Sequence, residues 1–336
     1  LIVTQDDAEK AERVKEKGLK TWFFHAKNVR DFAFASSRNF MWAAQAVKLS
    51  NRSVLAMSYY PKEGNPLWER YSTKLVAHTV KTYSKYTVEY PYPVAISVHS
   101  KWIGMEYPMI CFDGGRTDAE GKFSDEVKYR TILVIIHEVG HNYFPMIINS
   151  DERQWTWMDE GWNTFLQYQR EREWTDESGE AFPSRRGPAK LIVPYMGGDK
   201  RYISPIMSNS ESIYQFGNNA YGKPCTALNI LRETVMGPEL FDHAFKTYAN
   251  RWMFKHPSPA DLFRTMEDAS AVDLDWFWRG WFYTNDHCDV AITGAKEFKV
   301  NFNTPSEGAT KKSVSKSISK QAEAGQFDPI LQSIAR

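Results

Sequence analysis

The chain has 336 residues, 42% of them hydrophobic and 25% charged, with 42 basic against 41 acidic side chains for a formal charge of +1. That length supports one large domain or two moderate ones with a sizeable core, and the composition is ordinary for a globular protein. The near-zero charge balance argues against nucleic acid and anionic membranes as partners, and no apolar stretch is long enough to span a bilayer.

Three cysteines, Cys111, Cys225 and Cys288, are widely spaced. They offer neither a Cys-x-x-Cys metal pair nor a disulfide framework, and buried free thiols are expected. The chain starts at Leu1 with no signal peptide. This reads as a truncated amino terminus, so cytoplasmic and periplasmic or secreted locations both stay open.

Residues 1–20 are charged and helix-prone, and Gly18 stops the pattern. Residues 21–35 alternate aromatic and polar side chains and read as strand, turn, strand. Two strands alone do not make a stable sheet. This segment is expected either to end a larger β structure or to pack directly on the next elements of the chain. A strand is expected from Ser53 to Tyr60, closed by Pro61, then a helix from Asn65-Pro66 to about Tyr86 with Leu67, Tyr71, Leu75, Val76 and Val80 on one stripe. Val94–Val98 reads as a buried strand and Gly104–Phe112 as a second, interrupted at Pro108. Proline donates no ladder hydrogen bond, so this second strand belongs at a sheet edge or at the end of pairing. On such an edge Glu106 is either a solvated charge that discourages aggregation or a carboxylate beside an edge that an extended peptide can join.

A helix capped by Ser124 or Asp125 is expected to run to about Tyr143, ended by Phe144-Pro145. It contains His137-Glu138-Val-Gly-His141. Residues four apart share a helix face, so His137 and His141 can reach one metal ion while Glu138 leans over its open side. Two imidazoles, an open position and a general base suit a zinc peptidase; histidines that cap or pack a helix fit the bare motif too. Eighteen residues (142 to 159) separate His141 from Glu160, where a further helix starts near Asp159. That gap suits a helix end, a loop and a second helix folded back on the first. Glu160 is then a third ligand, and the net positive site keeps a bound water acidic, with a pKa of about 7.

Residues 172–200, dominated by glycine, proline and charge, read as a loop or insertion. Helical patterning returns at 210–214, Tyr221–Val235, Pro238–Ala249, Pro259–Ala269 and Asp275–Tyr283. The aromatic stripe of the last reads as core. Residues 303–325 are polar, with a lysine- and serine-rich run, and read as a linker or frayed tail.

With His137, Glu138, His141 and Glu160 in place, the chain resembles the aminopeptidase N family of zinc gluzincins, peptidase family M1, whose pattern is His-Glu-x-x-His, eighteen residues, then Glu. Trp157-Met-Asp159-Glu160-Gly161 is similar to the family's segment around the third ligand, and Ile103-Gly104-Met105-Glu106-Tyr107 to its Gly-x-Met-Glu-Asn exopeptidase motif. Tyr221-Gly-Lys223 resembles its Tyr-x-Lys, residues 24–33 the end of its amino-terminal β domain, and 252–257 with 276–281 the close of its helical catalytic domain.

The resemblance implies an α+β, thermolysin-like domain: a small mixed sheet over a mostly helical lobe, with one zinc ion between them. It implies His137, His141 and Glu160 as ligands, Glu138 as general base and Tyr221 as donor to the oxyanion. It also implies Glu106 as anchor for the substrate's α-ammonium, with Gly104 and Met105 bordering the peptide backbone. Without it, Tyr221 reads only as a core tyrosine at a helix start. The expected organisation is 1–35 as the end of an amino-terminal β domain, 36–295 as the catalytic domain and 296–336 as a polar tail. The expected activity is removal of the first residue from peptides with a free amino terminus by attack of a zinc-bound water. Two other readings share the metal site: a thermolysin-type zinc endopeptidase, which has no need of Glu106, and an inactive zinc-binding scaffold. Ile103 stands for the motif's first glycine and Tyr107 for its asparagine, and most of the β domain is expected to lie outside this sequence. The first side-chain pocket should therefore differ from the family's.

Overall fold

A computed structural model describes residues 24–101, 104–178, 182–287 and 292–297. The chain divides into two compact units at His287/Cys288, and the sheet, the helices and the candidate site all belong to the first. The expectations for residues 1–20, 303–325 and Cys288 lie outside the described residues, as does most of the expected tail.

Five strands form a mixed sheet in the order β1-β2-β3-β5-β4: β1 Phe40–Lys48, β2 Ser53–Pro61, β3 Val94–His99, β4 Gly104–Tyr107 and β5 Ile110–Asp113. β1/β2 and β4/β5 are antiparallel, and β2/β3 and β3/β5 parallel. β3 is buried throughout, as a central parallel strand must be. Between β2 and β3 runs α1 (Leu67–Tyr86), which packs on β1, β2 and β3. Its stripe buries Leu67, Trp68, Leu75, Val76, Val80 and Tyr83. Full burial of each such side chain contributes about 1.5–3 kcal/mol. α2 (Asp125–Gly140) crosses the sheet beside β5 and β4, and α3 (Trp162–Ser178) folds back on α2. Beyond them lie α4 (Lys223–Ile230), flanked by wider turns that make 217–236 one continuous helical run, α5 (Pro238–Trp252), α6 (Pro259–Ser270) and a final aromatic turn, Asp275–Tyr283. This is the expected α+β architecture.

Several local expectations are corrected. Residues 24–38 form no strand. Phe32 and Phe34 are 52% and 69% exposed, and alternation without a pairing partner does not hold a strand. Phe40–Lys48, unremarkable in sequence, is a strand because the turn at Leu49–Arg52 pairs it along the whole of β2. Pro108 does not interrupt one strand. With Met109, at φ 67°, it turns a hairpin between β4 and β5, and the Met109 amide donates to Asn142 Oδ1 at 2.7 Å. β4 is indeed the sheet edge. The expected loop at 172–200 begins later, because α3 continues to Ser178. Glu173 holds that end by accepting from Lys85 (2.7 Å), Thr82 (3.0 Å) and Tyr86 (3.1 Å) of α1. Residues 210–214 are turns rather than helix. There Asn209 Oδ1 takes the Glu211 amide at 3.0 Å and Ser212 Oγ donates to the Asn209 carbonyl at 3.0 Å, both in competition with helical bonding.

α2 starts as expected, with Ser124 Oγ accepting the Val127 amide at 3.3 Å. It stops at Gly140, earlier than Tyr143, because the Asn142 side chain donates to the Val139 carbonyl at 3.0 Å and Phe144 is non-helical. At Gly140 α2 lies close to both α1 and α3. A Cβ there would lie 2.2 Å from Asn163 Oδ1 and 2.4 Å from Tyr83 Oη. Tyr83 donates to Asn163 Oδ1 at 2.8 Å, and Asn163 Nδ2 donates to the His137 carbonyl at 2.8 Å. Gly140→Ala is therefore expected to cost about 1–3 kcal/mol by overpacking. Urea unfolding should show a lower midpoint with an unchanged slope; an unchanged midpoint would mean that this three-helix junction is loose.

Candidate metallopeptidase centre

α2 presents His137 and His141 one turn apart, with ring centroids 4.6 Å from each other. The turn Trp157–Gly161, just before α3, brings Glu160 against both. Glu160 Oε2 lies 3.0 Å from His137 Nε2 and 3.4 Å from His141 Nε2. The other ring nitrogens are already engaged. His137 Nδ1 lies 2.8 Å from Gln167 Oε1 and His141 Nδ1 2.8 Å from the Phe144 carbonyl. Placing the protons on Nδ1 leaves both Nε2 lone pairs aimed at Glu160, as two ligating histidines require. Asp159 Oδ1 is 2.7 Å from His141 Nδ1. The alignment favours the carbonyl as hydrogen-bond acceptor; burial pushes the Asp159 carboxyl well above its usual range, and His141 beside it opposes this.

The donor set fits a zinc ion. Three ligands on tetrahedral arms of about 2.05 Å stand about 3.3 Å apart, close to the 3.0 and 3.4 Å separations here. The two histidines are buried and Glu160 is partly buried, and the group offers two imidazoles and one carboxylate, a common zinc set. Burial disfavours charge on Glu160, but His141 and His137 outweigh it and hold the carboxyl well below its usual range. Burial likewise opposes charge on His141, while Glu106, Asp159 and Glu160 raise its pKa. Cys111 and Cys225 are buried free thiols and take no part.

Glu138 lies on the sheet side of α2. Burial pushes its pKa well above the carboxylate range; His141 opposes this, and Asp113, Glu106 and Glu160 add to it. A divalent cation among the neighbouring donors acts in the lowering direction. Glu138 Oε2 is buried with no hydrogen-bond partner, so it is available to a ligand. Gly104 makes this placement possible, since a Cβ there would lie 2.1 Å from Glu138 Oε1. Alternate residues of a strand face the same side, so Glu106 follows Gly104 toward the centre. Its carboxylate lies within 4.8 Å of donor atoms of His141 and Asp159. Met105, between them, is 44% exposed. Asp31 belongs to the same flank: burial raises its pKa, Arg30 lowers it, and the charges of Glu152 and Glu106 raise it further.

On the other flank Tyr221 Oη donates to Glu160 Oε1 at 2.6 Å. Its ring lies 5.8 Å from that of His137 at an interplanar angle of 22°. Glu106, His137, Glu138, His141, Glu160 and Tyr221 thus fall within one cluster, with Gly104 and Met105 on its rim. Sequence reasoning overlooked the side chains that orient this cluster. Asp159 precedes Glu160 directly, and Gln167 follows it by seven residues, two turns along the same face; that spacing was the available signal for Gln167. Asn163, which grips the His137 backbone, left no sequence signal.

Fold and donor set together define a candidate zinc centre set beside a mixed sheet and between packed helices. The chain belongs to peptidase family M1: residues 71–281 match the Peptidase family M1 domain. It is similar to an alanine/arginine aminopeptidase of Saccharomyces cerevisiae, 23% identical over 240 residues that make up 67% of this chain and 27% of that protein. It is also similar to a glutamyl aminopeptidase of Homo sapiens, 22% identical over 50% of this chain and 18% of that one. Among solved structures, an M1 zinc metallopeptidase from Deinococcus radiodurans superposes with a TM-score of 0.58 at 17% identity, covering 74% of this chain and 53% of the other. The chain spans about a quarter of the length of the yeast relative, 27%.

Proposed function

We propose that this chain carries the catalytic centre of a zinc-dependent aminopeptidase that hydrolyses the first bond of peptides with a free amino terminus. The observation that carries the reading is the Glu106 carboxylate on the edge strand, within 4.8 Å of His141 and beside the three-donor cluster. The catalytic domain is taken as 36–295, preceded by the end of a β domain at 1–35 and followed by a tail at 296–336.

His137, His141 and Glu160 would hold the zinc ion, which when bound supplies a Lewis acid that polarises the scissile carbonyl and acidifies water. Glu138 Oε2 takes the proton of the attacking water and later delivers it to the leaving amine. Tyr221 Oη turns from Glu160 Oε1, its partner at 2.6 Å, to donate to the oxygen that gains charge as the carbonyl becomes tetrahedral. Glu106 accepts hydrogen bonds from the substrate's α-ammonium. Gly104 and Met105, on the unpaired side of β4, flank the peptide backbone. Holding the ammonium at a fixed distance brings only the first peptide bond to the centre. A thermolysin-type endopeptidase would have no use for a carboxylate at this point.

The test is removal of the metal. Dialysis against a chelator is expected to abolish hydrolysis of an amino-acid amide, and about one equivalent of zinc to restore it. Hydrolysis that survives with zinc below one-tenth of an equivalent would sink the reading.

A further inference from the structure

Arg186 has no part in the proposed hydrolysis. Its guanidinium carbon lies 4.3 Å from the centroid of the Tyr221 ring. Among the described residues it makes no ion pair within 4.0 Å. Glu160 and Glu171 face it at longer range. With no carboxylate within ion-pair distance, the Tyr221 ring is a direct attractive partner for the guanidinium.

The turn that delivers Arg186 is fastened on both sides to α3, the helix that follows Glu160. Ser184 Oγ donates to Glu171 Oε2. A Cβ on Gly187, at φ 104°, would lie 2.3 Å from the Tyr168 ring, so only glycine lets the turn lie flat on that side chain. Glu171 also accepts from Gln167 Nε2 at 2.6 Å, and Gln167 Oε1 is the partner of His137 Nδ1 at 2.8 Å. One chain of contacts therefore runs from the metal-binding imidazole to the turn bearing Arg186. Tyr221 is constrained from several directions: His137 near-parallel to it, Phe216 edge-on at 6.1 Å, and the guanidinium over the ring.

We propose that Arg186 is a positioning residue for Tyr221: its guanidinium fixes the ring plane and favours negative charge at the phenol oxygen. A cation over a phenol withdraws charge from the ring and makes the hydroxyl a stronger donor, most of all when the acceptor is an oxyanion. This rests on Tyr221 being the oxyanion donor.

The experiment is a cycle of Arg186→Gln, Arg186→Lys, Tyr221→Phe and the double variant Arg186→Gln/Tyr221→Phe. Each is assayed on an amino-acid amide, with zinc content measured throughout. Arg186→Gln is expected to lower kcat roughly 3- to 30-fold, the range from an exposed to a desolvated cation–π contact, with KM changed less than about twofold and zinc retained. Arg186→Lys should recover part of the loss. In the Tyr221→Phe background Arg186→Gln should cost less than about twofold. By calorimetry, Arg186→Gln should weaken a tetrahedral phosphonate analogue and leave the free amino acid unaffected. An unchanged kcat, a loss confined to KM, or an equal loss with and without the Tyr221 hydroxyl would each overturn the inference while Tyr221 keeps its role. Full activity in Tyr221→Phe would remove that role, and the inference with it.

Discussion

Glu138→Gln is expected to lower kcat by about 10²- to 10⁴-fold, the usual contribution of a positioned general acid–base group, while zinc stays bound at one equivalent. The substitution preserves shape and removes only the capacity to hold a proton. The proposed metal donors are His137, His141 and Glu160, so metal content should not follow activity. Packing also favours this variant over Glu138→Ala. Glu138 lies against the backbone of Gly104, and glutamine keeps that contact while alanine leaves a gap between α2 and β4. Glu138 Oε2 has no protein partner, so its loss as a base breaks no structural bond. Substantial turnover in Glu138→Gln with zinc bound would refute the base assignment and leave the metal site standing.

Glu106→Gln should act differently. A hydrogen bond to a charged group contributes about 1.5–3 kcal/mol, so kcat/KM for a free-amine substrate should fall roughly 10- to 100-fold. Hydrolysis of the same substrate with its amine acetylated should change little, because the blocked substrate has no ammonium for the carboxylate to hold. The variant should therefore lose discrimination rather than chemistry. Glu106 sits on an edge strand, half-buried, paired through its backbone with Cys111, and its carboxylate makes no hydrogen bond among the described residues. Fold stability should thus be unaffected, as an unchanged urea midpoint would verify. Equal losses on both substrates would mean that Glu106 supports the centre and does not read the amine.

The centre was legible in the sequence to the extent that its geometry is local. His137 and His141 share a face because an α-helix puts residues four apart together, and His141, the residue that caps α2, keeps helical backbone angles. Glu160 was legible because the gap length limits where a returning helix can start. Pro108 marked β4 as an edge because proline cannot serve an inner ladder. What escaped is what depends on tertiary partners. Phe40–Lys48 becomes a strand only through pairing with β2. Residues 24–38 alternate like a strand but meet no partner strand among the described residues. α3 runs on through Glu173 because three side chains of α1 converge on that carboxylate. The same holds at the centre: Gln167, Asn163, Asp159 and Arg186 orient the principal side chains from positions fixed only once α2, α3 and the 184–187 turn have packed together.

The most direct test of the central claim compares two substrates on the unaltered protein: a chromogenic amino-acid amide and its acetyl-blocked twin, at matched zinc content. Cleavage of the free-amine compound is expected, with the blocked one slower by roughly 10- to 100-fold, the value of one charge-assisted hydrogen bond. Equal rates on the two would contradict it, because an enzyme that reads the amino terminus through Glu106 cannot be indifferent to blocking it.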